Sequence, residues 1–107
     1  MTYFTIMTEL RGCYADADSA YTIKADTRRE LKAALEDESR YLRDAGAIGL
    51  SKRAVASLAA LAWRKRKAGG IYPFVAPFRY PDQSGYVMGL FVYVASRADY
   101  LAQESAE

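Results

Sequence analysis

Residues 86–95 read Tyr86-Val87-Met88-Gly89-Leu90-Phe91-Val92-Tyr93-Val94-Ala95, a run rich in β-branched and aromatic residues and free of charge. Such a run reads as a strand. Its alternation puts Val87, Phe91 and Tyr93 on one face and Met88, Leu90, Val92 and Val94 on the other, so both faces are apolar. A strand of that kind belongs inside a sheet, covered by helices or by a partner. It is about half the length a helix needs to cross a bilayer, and no membrane span is expected.

Upstream, Pro81-Asp82-Gln83-Ser84-Gly85 is a turn, and Ile71 to Tyr80 is aromatic and extended. Pro73 and Pro77 cannot donate ladder hydrogen bonds, which sends this second strand to the sheet edge. Downstream, Ser96-Arg97-Ala98-Asp99 has the form of a helix start and leads into a short C-terminal helix.

At the other end of the chain, Thr2 to Arg11 alternates, with Phe4, Ile6 and Leu10 on one side and Tyr3, Thr5, Glu9 and Arg11 on the other. Ala20 to Asp26 alternates again through Tyr21, Ile23 and Ala25, and the polar connection Gly12 to Ser19 makes a hairpin. Between the strand pairs, Thr27-Arg28-Arg29-Glu30 is a capping-box pattern. It opens a helix from about Arg28 to Ala45 with a stripe of Leu31, Ala34, Leu35, Leu42 and Ala45, closed by Gly46. Ser51 caps a second helix, with Leu50 stapled to Val55 and a stripe of Val55, Leu58, Ala59 and Ala62. Leu61 and Trp63 widen its apolar surface before Arg64-Lys65-Arg66-Lys67 and Gly69-Gly70 end it.

The order β-β-α-α-β-β predicts a single α+β domain over residues 1–107: a four-stranded antiparallel sheet with two main helices on one face and a short C-terminal helix. With helices on one face only, the other face would be aromatic and open, and a homodimer or a protein partner would cover it.

Composition narrows the chemistry. The 107 residues are 51% hydrophobic and 26% charged, too apolar for disorder and too mixed for a membrane protein. One cysteine, Cys13, allows no internal disulfide, and no signal segment opens the chain, so a reducing cytoplasm is expected. There is no histidine, which removes the commonest general base and metal ligand. No cofactor and no metal site are expected. Nine tyrosines supply rigid contact surface with a polar tip.

Four features invite a catalytic or ligand-binding reading, and each has a simpler one. Asp16 and Asp18 form a DxD pair without the rest of a calcium loop, and they read as a hairpin turn. Glu30 and Lys32 have nuclease-like ExK spacing but fall in a helix's first turn, where Glu30 is a capping residue. Cys13 has no histidine to activate it. Gly46-Ala47-Ile48-Gly49 and Gly69-Gly70 lack the lysine and hydroxyl of a phosphate loop. No catalytic residue is assigned.

The strongest charge feature is Arg64-Lys65-Arg66-Lys67. With Lys52, Arg53 and Arg79 it lies in a stretch, Ala45 to Pro81, that contains no acidic residue. The partner-binding expectation is Arg64, Lys65, Arg66, Lys67, Tyr72, Arg79 and Tyr80, contacting an acidic protein surface or nucleic-acid phosphates with Trp63 and Tyr72 as stacking groups. The competing reading is that cations at a helix C-terminus merely offset its dipole. Asp16, Asp18, Asp26, Glu30, Glu36, Asp37, Glu38 and Asp44 all precede this stretch, so the two ends of the molecule are expected to carry opposite fields.

The function expected from these features is that of a small non-enzymatic interaction protein. In size and composition the chain is similar in kind to accessory proteins of phages and mobile elements, of which anti-CRISPR inhibitors of bacterial defence are the sharpest version. That likeness rests on no motif. The alternative is a small nucleic-acid-binding regulator using the basic end of the second helix.

Overall fold

Alternating apolar positions make the four strands, and two capped amphipathic segments make the main helices. A computed structural model describes residues 2–11, 17–67, 74–80 and 87–105. The elements are β1 (Thr2–Arg11), β2 (Ala17–Ala25), α1 (Arg28–Asp44), α2 (Lys52–Arg64), β3 (Phe74–Phe78), β4 (Val87–Ala95) and α3 (Arg97–Ser105). The strands form one antiparallel sheet in the order β2-β1-β4-β3. The doubly apolar strand β4 is internal and the proline-bearing β3 is an edge, as the sequence predicts. Tyr86 and residues 71–73 lie outside the described residues, as do Cys13, Asp16, Gly69 and Gly70.

Thr27 caps α1, its hydroxyl accepting from the Glu30 N–H at 3.2 Å while the Glu30 carboxylate accepts from the Asp26 N–H at 3.3 Å. Ser51 caps α2 by accepting from the Ala54 N–H at 3.1 Å. Val55, Leu58, Ala59 and Ala62 are all buried, and Leu50 is buried beside them. They meet Phe4, Ile6, Leu90, Val92, Leu31 and Leu35 in one core between the helices and the sheet. Fully burying one such aliphatic or aromatic side chain contributes roughly 1.5–3 kcal/mol, so this layer carries most of the fold's stability.

Arg43 holds the turn between the helices: its guanidinium donates to the Leu50 carbonyl at 2.6 Å and pairs with Glu36. Gly46 and Gly49 both have positive φ, +106° and +108°, the conformation that glycine adopts without a Cβ penalty. At Gly49 the space is also tight, since a Cβ would lie 3.2 Å from the Pro77 carbonyl oxygen.

Three expectations need correction. Ala45 does not belong to the α1 stripe; it is the exposed C-cap, and the buried position is Ser39, one turn after Leu35. β2 begins at Ala17 rather than Ala20, because pairing with β1 continues through Leu10 opposite Ala17. The third concerns the second sheet face, which is not left bare. α3 crosses it, with Tyr100 against Tyr3 at 5.3 Å between ring centroids. The Ser96 hydroxyl accepts from the Asp99 N–H at 3.1 Å, and the Asp99 carboxylate accepts from the Ser96 N–H at 3.0 Å. Hydrogen bonding to the carboxylate from the Ser96 N–H, and then from the Ser96 hydroxyl, holds the Asp99 carboxyl below its ordinary pKa.

Both edges of the sheet are partly closed. Gln103 of α3 pairs its side-chain amide with the backbone of Thr22 on the outer edge of β2. On the outer edge of β3, Arg79 and Ile48 exchange two backbone hydrogen bonds, of 2.7 and 2.9 Å. An open edge is a template for pairing with another chain, and both devices restrict it.

Candidate interaction surface

The sequence-predicted residues fall at two separated places. α2 begins beside Gly49 and Pro77, at the end of the sheet where Phe78 pairs with Met88. It finishes at Trp63, which packs on Phe4 at 6.1 Å near the opposite end. Arg64 to Lys67 therefore stand at one end of α2. Arg79 and Tyr80 stand at the other, about 20 Å away at 1.5 Å per residue. Tyr72 lies outside the described residues.

Within the basic cluster the residues differ. Arg66 folds back, donating to the Trp63 carbonyl at 2.7 Å and placing its guanidinium 4.2 Å from the Trp63 ring centroid. It closes the helix and shields the indole, so Arg66 and Trp63 serve each other. Arg64, Lys65 and Lys67 are exposed. Tyr80 is half-buried edge-on against Phe78 at 5.8 Å, and burial raises its pKa. Among the described tyrosines only Tyr41 is strongly exposed, at 72%; Tyr3, Tyr21, Tyr80, Tyr93 and Tyr100 are half-buried.

The expected separation of charge by ends is also corrected. Asp26 and Glu30 follow β2 and lie at the Thr2 end of the sheet, the end that also carries Arg64 to Lys67. Lys52, Arg53 and Arg79 share the opposite end with Asp44. The difference lies between the helices instead. α1 mixes both signs, whereas α2 has no acidic residue in its first turn and carries cations at both ends.

Between those cations runs an apolar groove of about 400 Å³, formed by Ala54, Ser57, Leu58 and Leu61 of α2 and by Val75 and Pro77 of β3. Val75 is 51% exposed. On the second sheet face, Val75, Phe91, Met7 and Ala20 occupy one register row across all four strands. Phe91 stacks on Tyr93 at 6.3 Å, and its ring lies over Gly89, where a Cβ would come within 2.7 Å of it. This row is the part of the face beyond Tyr3 and Thr22, where α3 docks.

The other candidate groups have structural roles. Glu30 caps α1, and Asp18 falls in β2 opposite Glu9. Glu38 accepts from the Thr8 hydroxyl at 3.1 Å and the Tyr21 hydroxyl at 3.5 Å, and the Tyr21 pKa is pushed up to about 12, mainly by burial and then by the Glu38 charge. Among the described residues, no group of three His, Cys, Asp or Glu is placed to hold a metal ion. No described helix is long and apolar enough to cross a membrane.

The fold and its surface define a small α+β protein with a cationic, grooved flank. Comparison with known proteins finds no matching family model, curated protein or solved structure.

Proposed function

We propose that this chain is a non-enzymatic interaction protein that binds a protein or nucleoprotein target through the α2 flank, in the cytoplasm. The observation that carries this reading is the placement of Lys52 and Arg53 in the first turn of α2. A helix N-terminus is its positive end, so cations there oppose the dipole, whereas those at Arg64 and Lys65 agree with it. Dipole compensation accounts for one cluster and not for the other. An acidic partner surface accounts for both.

In its sharpest form the target is a component of bacterial defence and the protein an anti-CRISPR-like inhibitor of phage or mobile-element origin; size and composition support that form. The nucleic-acid alternative draws on the same cations, but it loses Arg66 and Trp63, which are engaged with each other.

The test compares affinity capture, after nuclease treatment, by the wild type and by a variant carrying Lys52→Glu, Arg53→Glu, Arg64→Glu and Lys65→Glu. A stoichiometric protein retained by the first and lost by the second supports the proposal. Recovery of nucleic acid alone, with affinity falling steeply in salt, supports the alternative.

A further inference from the structure

We infer that the groove between α2 and β3 is the docking site for an extended, acidic segment of the partner protein, which adds a single hydrogen-bonded rung to the sheet at Val75. This rests on the reading of α2 as the binding flank.

Backbone alternation identifies the rung. In antiparallel sheets, successive residues turn their N–H and C=O to opposite sides of the strand. Thr22 bonds Gln103 outside the sheet, so its partner Thr5 points towards β4. Tyr93 opposite Thr5 then points to β1, Val92 to β3, and Phe74 back to β4. Val75 and Pro77 consequently point outwards. Arg79, of the same parity, bonds Ile48 outside the sheet, which fixes the alternation independently. Pro77 has no N–H to offer, and Arg79 is taken. Val75 alone, among the described residues of this edge, presents both a free-facing donor and acceptor.

The flanking charges select the occupant. Ser57 and Leu61 line the groove, and the exposed Arg53 and Lys65 continue their i, i+4 row by one step beyond it at either end. Those cations are about 18 Å apart along the helix axis, at 1.5 Å per residue. An extended chain covers that distance in about five to six residues. Because alternate side chains of a strand share a face, the segment has two acidic residues six positions apart with apolar residues between them on the same face. The apolar pair sits against Leu58 and Leu61.

The probe is the capped, fluorescein-labelled peptide Glu-Thr-Val-Thr-Val-Thr-Glu, titrated into the full chain by anisotropy and by amide chemical shifts. Saturable binding is expected, with the largest shift at the Val75 amide, weakened at least tenfold by Arg53→Glu combined with Lys65→Glu and unchanged by Lys32→Glu on α1. N-methylation of the central threonine abolishes it. Equal binding by a peptide ending in lysines, shifts centred on Phe91 and Tyr93, or no binding at millimolar peptide would overturn the inference. If the peptide fails while the four-fold charge variant still loses its protein target, the binding flank stands and the groove falls.

Discussion

The side-chain amide of Gln103 accepts from the Thr22 N–H at 2.5 Å and donates to the Thr22 carbonyl at 2.9 Å, reproducing with a side chain what a neighbouring strand would do with its backbone. Two hydrogen bonds to a strand edge are worth about 0.5–1.5 kcal/mol each. Gln103→Ala is therefore expected to lower stability by about 1–2 kcal/mol in urea unfolding. The Thr22 amide should exchange with solvent markedly faster than in the wild type. Unchanged exchange at Thr22 would show that the pairing does not hold in solution.

Ser39 is fully buried and its hydroxyl has no hydrogen-bond partner among the described residues. An unpaired buried hydroxyl costs about 1–3 kcal/mol of desolvation. Ser39→Ala removes the group with little loss of volume and should raise stability by about 1 kcal/mol, measured as a higher urea midpoint at constant m-value. A lowered midpoint would mean the hydroxyl is satisfied after all.

Tyr21 titrates at about 12 in the folded chain against an ordinary 10.0. A phenol whose folded pKa is raised keeps its full stabilising effect below the unfolded value and loses it as pH rises between the two. The protein should thus weaken between about pH 10 and 12. Tyr21→Phe should flatten that alkaline decline, visible in melting temperatures measured across the interval. An identical decline in both proteins would locate the effect elsewhere.

Gly49 combines a positive φ with a tight approach of the Pro77 carbonyl to any Cβ. Gly49→Ala should cost more than about 1 kcal/mol, because a φ > 0 position strains any Cβ. Gly46→Ala has the strain without the close carbonyl and should cost less. Thermal melts of the two variants side by side give the comparison.

Arg66 and its neighbours provide an internal contrast. Arg66→Ala should destabilise by about 1 kcal/mol through loss of the Trp63 contacts, while Arg64→Ala and Lys65→Ala should stay within about 0.5 kcal/mol. Trp63 is the only tryptophan, so its fluorescence should change in the first variant alone.

Much of the fold is legible in the sequence because its signals are local. The capping box at Thr27 and Glu30, the serine cap and stripe of α2, and the two apolar faces of β4 each lie within one element, and Pro77 marks its strand as an edge. Ser39 was within reach of helical arithmetic, being four residues after Leu35, but a serine carries no apolar signal. The pairing of Gln103 with Thr22 joins residues 81 positions apart, and no local pattern announces it. The candidate surface was half legible. The acid-free stretch marked α2, whereas the return of Arg66 onto Trp63, an i, i+3 neighbour, and the groove that brings Val75 and Leu61 to one lining depend on tertiary packing.

Pro77 has one more effect. A strand seeking the outer edge of β3 cannot slide by two residues towards Arg79, because it would find a position with no hydrogen to give and then one already occupied by Ile48. The proline thus acts as a ruler, rejecting misaligned chains before any side chain is compared.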